Sequence, residues 1–405
     1  MINSGDTAWV LTSTALVILM TPALAFFYGG LVRKKNILST IMLSVSLLAL
    51  ISVQWVLYGY SLSFGPDKGG IIGGLDWLGL IGVGQMPNAS YAATIPHLAF
   101  MLFQLAFAVI TPALITGCFV ERINFSGFLV FILLWVTFIY DPVAHWIWGV
   151  GGWLKIMGAL DFAGGAVVHI TAGFSALAVA LVIGKRKGYG KIPLEPSNIP
   201  LTVLGAFLLW FGWFGFNGGS ALSCGGLATS ALVATNTAGA TAALTWMMIS
   251  WMHRRPSVLG LATGAIVGLA AVTPASGFVS PLSAMAIGAI AAIFSYYVII
   301  LRMKIGLDES LDVFACHGIG GLWGVLATGL FAERAVNAAG TNGLFFGNPH
   351  QFIIQLITAG VVAFFSFSVS LFLAKIVDAV FSLRARADEE EIGLDITQHA
   401  ESAYN

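Results

Sequence analysis

Eleven long apolar segments, separated by short loops that hold most of the charged residues, constrain this chain more than any other feature. A transmembrane helix needs roughly 20 mostly apolar residues, and every segment is about that long or longer. Hydrophobic residues make up 58% of the 405 residues and charged residues only 9%, which is far from the composition of a soluble domain. We therefore expect an all-α integral membrane protein with about eleven transmembrane helices. They are predicted near residues 8–32, 38–61, 96–120, 126–146, 161–184, 199–219, 227–252, 257–276, 280–303, 312–332 and 351–381.

The basic residues predict how the chain is oriented, because Lys and Arg are enriched in cytoplasmic loops. If the N-terminus is outside, only Lys68, Lys155 and Arg334 of the 18 Lys and Arg residues lie outside. The remaining 15 are then inside: Arg33, Lys34, Lys35, Arg122, Lys185, Arg186, Lys187, Lys191, Arg254, Arg255, Arg302, Lys304, Lys375, Arg384 and Arg386. We expect the N-terminus outside and the C-terminus in the cytoplasm. The terms outer and cytoplasmic below follow this predicted orientation.

The segments divide into two similar sets of five. The fifth ends a first set that contains Leu160-Asp161-Phe162, and the tenth ends a second set that contains Leu311-Asp312-Val313. Because five is odd, the second set runs inverted relative to the first, as in inverted-repeat transporters whose site lies near the midplane. We expect a membrane domain over residues 1–383, with repeats at about 8–190 and 199–334 and a last helix at about 351–381. Residues 384–405 then form a cytoplasmic tail.

His169 and His317 are the two histidines deep within apolar segments, and each follows one of the two aspartates by less than three helical turns. An ionisable residue inside a membrane is costly and is by default a candidate for a substrate or proton path. Counting residues from the segment ends places both within roughly two turns of the midplane. The two histidines are therefore predicted to share one site, although a lone membrane histidine can also simply bind a backbone carbonyl.

Four sequence blocks resemble the signatures of the ammonium transporter family (Amt/Mep/Rh), and in particular its Amt branch of bacteria and archaea. The resemblance extends from residue 8 to Tyr404. The blocks are Phe27-Tyr28-Gly29-Gly30-Leu31-Val32-Arg33, Ala159-Leu160-Asp161-Phe162-Ala163-Gly164-Gly165-Ala166-Val167-Val168-His169, Gly212-Trp213-Phe214-Gly215-Phe216-Asn217-Gly218-Gly219-Ser220 and Asp312-Val313-Phe314-Ala315-Cys316-His317-Gly318.

This resemblance implies a homotrimer in a cell membrane, with a narrow pore through each subunit lined by His169 and His317. It also implies that Phe103, Trp148 and Ser220 recruit the ammonium cation at the outer mouth and that Phe107 and Phe216 form a gate beneath them. Asp161 is implied as a supporting residue, and Trp213 and Tyr140 as further pore-lining residues. The substrates implied are ammonium or ammonia and methylammonium, without a cofactor and without enzymatic activity.

Several of these residues also have simpler interpretations. Asp161 stands where its helix begins and is at least as well suited to an N-cap. Phe103 and Phe107 are one turn apart, a spacing typical of ordinary packing. Trp148 lies at an outer helix end, where Trp commonly anchors a helix at the membrane interface. His97 and His145 also lie near outer ends and are interpreted as interfacial.

The chemistry of the predicted pore agrees with ammonium as its substrate. Aromatic faces attract a compact cation by roughly 0.5 to 2 kcal/mol each, whereas a bare cation at the bilayer centre costs at least about 2.5 kcal/mol. Loss of a proton removes most of that cost, and ammonium can lose one whereas sodium and potassium cannot. A buried imidazole stays neutral and can accept such a proton.

Two other functions remain open at this stage. Buried histidines on facing helices can hold haem in a membrane electron carrier. An ammonium sensor of the same fold would signal through the cytoplasmic tail. That tail, from Asp388 to Tyr404, matches the family at Gly393-Leu394-Asp395 and Ala403-Tyr404. The resemblance implies that it packs beneath the trimer and helps to engage a PII-type regulatory protein, although a solvated acidic end is the simpler interpretation.

Overall fold

Eleven helices, one for each predicted segment, form the computed structural model, which describes residues 1–253 and 255–404. Arg254, one of the predicted cytoplasmic basic residues, and Asn405, the last tail residue, lie outside the described residues. The helices are α1 Ser4–Leu31, α2 Lys34–Phe64, α3 His97–Cys118, α4 Phe125–Ile147, α5 Gly165–Ile183, α6 Ile199–Gly219, α7 Gly226–His253, α8 Val258–Val272, α9 Pro281–Ile305, α10 Phe314–Phe331 and α11 Pro349–Phe381. The predicted all-α membrane fold is confirmed.

Within the described ranges, nine of these helices are long and apolar enough to span a membrane. The other two are α7 and α8. Helix α8 has 15 residues, and α7 carries several threonines and Asn236 among its alanines, which lowers its hydropathy. Both were predicted as spans because each is a mostly apolar run of about 20 residues or more.

Short polar side chains begin several of the helices by accepting the first free backbone N–H groups, as expected of N-caps. Asn and Ser side chains serve this role for five helices: Asn3 for α1, Asn124 for α4, Asn198 for α6, Ser257 for α8 and Ser280 for α9. Four of these caps, all except Asn3, lie in a loop that follows a long apolar run. The capping residues therefore mark helix starts that hydropathy alone leaves uncertain.

Small residues allow the helices to pack closely, which is how membrane helices associate in the absence of a strong hydrophobic force between them. Helix α1 packs along α6, and α7 packs along α8 and α9. At Gly268, a side chain would collide with Ala242 and the backbone of Ala238 on α7. Gly260 and Gly264, spaced at four-residue intervals before Gly268, also face α7, so these three glycines of α8 serve helix packing.

Four helices contain π turns, each of which adds one residue to a helical turn. They lie at Trp55–Gly59 in α2, Val136–Tyr140 in α4, Gly165–Ile170 in α5 and Phe314–Ile319 in α10. The last two open their helices and carry His169 and His317. The two halves of the chain thus place their histidines on matching irregular turns.

The longest connection between these helices joins α2 to α3. Residues between α2 and α3 form a compact outer cover that contains the antiparallel strands β1 (Asp67–Lys68) and β2 (Ile72–Gly73) and a turn of 3₁₀ helix at Leu78–Leu80. A short helix, Trp153–Met157, lies between α4 and α5 on the same face. The tail adds two short helices, Ala387–Ile392 and Leu394–His399, at the opposite face.

Candidate functional site

Three cavities follow one another through the bundle. The outer cavity of about 400 Å³ is lined by Phe103, Phe107, Trp148 and Ser220, among others. The central cavity, of only about 10 Å³, is lined by His169, His317, Trp213 and Phe216. The inner cavity of about 270 Å³ reaches from His317 to Asp312 and Leu31 at the cytoplasmic face. The central cavity has room for about one water-sized molecule.

The outer cavity, called the outer vestibule below, is lined by aromatic and polar side chains, two of which donate hydrogen bonds to backbone carbonyls. The Trp148 indole N–H donates to the Asp161 carbonyl over 2.9 Å, and the Ser220 hydroxyl donates to the Phe216 carbonyl over 2.8 Å. Because the Ser220 hydroxyl uses its proton in that bond, its lone pairs remain free to accept from a cation. The predicted recruitment residues Phe103, Trp148 and Ser220 all line this cavity.

Two phenylalanine rings close the floor of the vestibule. The centroids of Phe107 and Phe216 are 4.4 Å apart, and the edge of Phe107 also meets Phe103 at 4.9 Å. Phe107 lines the outer cavity, whereas Phe216 lines the central one. The two rings in contact therefore lie between the outer and the central cavity.

The two histidines contact each other directly beneath the rings. Their Nδ1 atoms are 3.2 Å apart, and the imidazole planes are within 17° of parallel. Phe216 and Trp213 flank the His169 ring. Within the described part of the chain, the buried Nε2 of His169 has no hydrogen-bond partner. The structure thus brings together the two residues predicted to share a site, with a free ring nitrogen at the central cavity.

Asp161 builds the turn that carries His169. Its carboxylate accepts four backbone N–H groups at the start of α5, from Gly164 (2.8 Å), Gly165 (2.6 Å), Ala166 (2.8 Å) and Val167 (3.1 Å). All lone pairs that face the helix are therefore occupied by the backbone. The geometry supports the N-cap interpretation of Asp161, with its carbonyl holding Trp148 at the same time.

Glu309 matches Asp161 in its spacing from a histidine and was not predicted from the sequence. Glu309 precedes His317 by eight residues, as Asp161 precedes His169, and its carboxylate accepts the Phe314 N–H over 3.3 Å. Asp312, the aspartate predicted to correspond to Asp161, pairs with Arg302 over 2.7 Å. Burial, together with the nearby Asp312, raises the pKa of Glu309 to about 7. The equal spacing of Asp161 and Glu309 from His169 and His317 is the sequence feature that could have revealed this match.

Comparison with known proteins agrees with this geometry. The Ammonium Transporter Family model matches residues 8–404. The chain is 51% identical to Ammonium transporter Amt1 of Archaeoglobus fulgidus over 99% of this chain and 100% of the relative. It is 49% identical to an ammonium transporter of Bacillus subtilis over 99% and 98%. The chain belongs to the ammonium transporter family.

Solved structures of the ammonium transporter family share the fold. A crystal structure of Mep2 from Candida albicans superposes with a TM-score of 0.90 at 36% identity, covering 96% of this chain and 88% of that chain. A structure titled "Sensor Amt Protein" superposes equally well, at 30% identity and 98% coverage of both chains. The protein is a multi-pass membrane protein of this family and acts in ammonium transport.

Three predicted positions differ in the structure of this ammonium transporter. Tyr140 does not line any of the three cavities and instead packs between Trp55 and Trp135. His97 and His145, predicted to be interfacial, are buried. The outer cover between α2 and α3 folds over the helix ends and supplies Trp77 to His97 and Asp67 to His145. The end of α2 supplies the Tyr60 hydroxyl to His97 and the Ser63 carbonyl to His145.

A buried cluster of charges joins the cytoplasmic ends of the helices. Glu121 binds Arg33 and Arg186 at 2.9 Å and 3.0 Å, and Arg186 also binds Asp308 at 2.8 Å. Burial alone would raise the pKa of Glu121, but the two arginines outweigh it and hold the pKa below its ordinary value. The loops that carry these residues thus meet at one face.

The tail of this ammonium transporter docks on that face. The Asp395 carboxylate accepts the N–H groups of Leu38 and Ser39 at the start of α2, and Glu390 pairs with Arg384 over 2.7 Å. The Tyr404 hydroxyl accepts from Asn198 over 2.8 Å. The tail therefore contacts the starts of α2 and α6 within its own subunit and is more than a solvated acidic end.

Proposed function

We propose that ammonium is bound in the outer vestibule, passes the gate, gives up its proton to the pair His169 and His317, and crosses the rest of the bundle as ammonia. The directly contacting histidine pair in a cavity the size of one water molecule carries this proposal. Methylammonium, which has the same ionisable group, is the second expected substrate.

Recruitment relies on weak contacts. The faces of Phe103 and Trp148 attract a cation, and the Ser220 hydroxyl accepts one of its N–H groups. Each aromatic contact contributes about 0.5 to 2 kcal/mol. Binding of this strength concentrates ammonium at the mouth without holding it there.

The histidine pair offers both a proton acceptor and a proton donor. A hydrogen bond between two Nδ1 atoms needs one of them protonated and the other bare. Since each neutral imidazole carries one proton, the ring that donates through Nδ1 has a bare Nε2, and its partner has an Nε2–H. A proton accepted at the bare Nε2 is passed across the Nδ1–Nδ1 bond and released from the other Nε2. The pair titrates as a unit.

Selectivity follows from acid–base chemistry. Potassium and sodium have no proton to lose, so they meet the full cost of a charge in the membrane, at least about 2.5 kcal/mol. The closed rings of Phe107 and Phe216 and the small central cavity leave no space for a hydration shell. Discrimination therefore does not depend on ionic radius.

Uptake into proteoliposomes, with the current recorded, tests the proposal. His169→Leu and His317→Leu should each abolish or strongly alter ammonium transport while the protein stays assembled. His350→Leu, at an exposed position of the outer face, is the matched control and should transport normally. Unchanged rate and selectivity in either pore variant would contradict the relay.

The histidine geometry disfavours haem. The two imidazoles contact each other, and the central cavity of about 10 Å³ leaves no space for a macrocycle. A sensor function shares this pore and is separated from transport by the same liposome assay, since a pure sensor gives no sustained uptake. The sequence of this chain is 51% identical to Ammonium transporter Amt1 of Archaeoglobus fulgidus but only 30% identical to the structure titled "Sensor Amt Protein", which supports transport.

We further propose that the protein is a homotrimer whose cytoplasmic face binds a PII-type protein. Family membership supports the trimer. The tail docked on the starts of α2 and α6 supports regulation through these two helices. Native mass spectrometry tests the trimer. Pull-down with a PII protein in the presence and absence of the tail tests the second partner.

A further inference from the structure

One cation is already present in the outer vestibule, on the protein itself. The Lys155 side chain, from the short helix Trp153–Met157, lines the same cavity as Phe103, Trp148 and Ser220. Its Nζ donates to the Trp148 carbonyl over 2.8 Å and lies 5.9 Å from the centroid of the Tyr91 ring. A lysine ammonium is a primary alkylammonium, so it has the same headgroup as methylammonium.

The groups that hold this ammonium are themselves fixed. The Trp148 indole is tied to the Asp161 carbonyl. The Tyr91 hydroxyl donates to the Phe64 carbonyl over 2.6 Å and accepts the Val150 N–H over 3.2 Å. The Tyr91 ring also stacks on Phe100, with centroids 5.0 Å apart. A carbonyl oxygen and an aromatic face, each on a residue held by further contacts, therefore surround the Lys155 ammonium.

We propose that Lys155 is a tethered competitor that occupies an outermost cation site, made by the Trp148 carbonyl and the Tyr91 ring, and thereby sets the apparent affinity for external ammonium. This inference rests on the proposed transport function. Lys155 acts in two ways: it fills the outer site, and its charge repels a second cation in the vestibule. Asp161 is the other charged group lining this cavity, and its carboxylate is engaged by the backbone of α5.

The size of the effect follows from the dimensions of the vestibule. A cavity of about 400 Å³ is roughly 9 Å across, and unit charges that far apart lower each other's affinity about two- to five-fold at a relative permittivity of about 40 to 80. Removing the charge should therefore lower the apparent KM for ammonium by about that factor. The maximal rate should not change, because the gate and the histidines are untouched.

Initial ammonium uptake by the full-length protein in proteoliposomes, measured over a range of ammonium concentrations, tests this inference. Lys155→Met should show the lowered KM, and Lys155→Arg, which keeps the charge, should stay near the wild-type value. Lys68→Met removes an equal charge from the outer face at a position that does not line the cavity and should also stay near wild type. Raising the salt concentration should shrink the difference between Lys155→Met and wild type, because salt screens charges in the water-filled mouth.

An unchanged KM in Lys155→Met, or an equal change in Lys68→Met, would overturn the inference. A fall in maximal rate with no change in KM would mean that Lys155 merely supports Trp148, and would overturn it too. Absence of any uptake by the wild-type protein would instead contradict the proposed function, so the two failures are distinguishable.

Discussion

Replacing Asp161 by Asn tests how strongly the His169 turn depends on a carboxylate. The Asp161 carboxylate accepts four backbone N–H groups at 2.6 to 3.1 Å and is almost completely buried. An asparagine amide has one oxygen, and its NH₂ group cannot accept. Two of the four N–H groups therefore lose their partner.

Hydrogen bonds to a charged group contribute about 1.5 to 3 kcal/mol each, so Asp161→Asn should destabilise this turn by about 3 to 6 kcal/mol. Because the turn positions His169 and the Asp161 carbonyl positions Trp148, we expect at least a ten-fold loss of ammonium uptake and a lower melting temperature in detergent.

Glu309→Gln is the matched control, since Glu309 accepts one N–H at the equivalent place, over 3.3 Å. The amide oxygen of Gln can keep that bond, so the variant should lose much less activity and stability. Near-wild-type uptake and melting in Asp161→Asn, or an equal loss in Glu309→Gln, would refute this reasoning.

Three further predictions concern recruitment, the charge cluster and the tail. Ser220→Ala should raise the apparent KM for ammonium at least about ten-fold through loss of one acceptor to a cation, whereas Ser223→Ala should not; equal KM values would exclude Ser220 from recruitment. Glu121→Gln should lower the melting temperature at pH 7 and should also reduce the fall in melting temperature that the wild type shows below about pH 4.5. A carboxyl group whose pKa is lowered by folding stabilises the fold above its unfolded-state pKa and loses that contribution on acidification. Melting temperatures of variant and wild type that run parallel across pH would disprove this. Truncation before Asp388 should leave the pore intact, reduce uptake and weaken PII inhibition; full activity with unchanged PII binding would make the tail passive.

Much of the fold was predictable because hydropathy is averaged over about 20 residues and tolerates local irregularity. The eleven segments all correspond to helices, and even α7, which is less apolar, was predicted from its length of mostly apolar residues. The π turns were not predicted, because one additional residue in a turn leaves the hydropathy pattern unchanged.

Some site residues could be predicted from the sequence and others could not. Blocks such as that from Ala159 to His169 identify the pore through their resemblance to a family, whereas contacts between distant segments need the folded chain. His145 was misread as interfacial because its partner Asp67 belongs to a loop that folds back over the helix end. The match of Glu309 with Asp161 was not predicted, because Leu311-Asp312 repeats the dipeptide Leu160-Asp161 and so suggested Asp312. Lys155 gained significance only when its side chain was placed in the vestibule.

The central claim is that only a cation able to lose its proton crosses the histidine pore. The most direct measurement records currents and uptake from wild-type proteoliposomes under matched inward gradients of ammonium and of potassium. We predict sustained ammonium uptake and no potassium permeation above that of protein-free liposomes. Sustained potassium permeation through the protein would contradict selection by deprotonation.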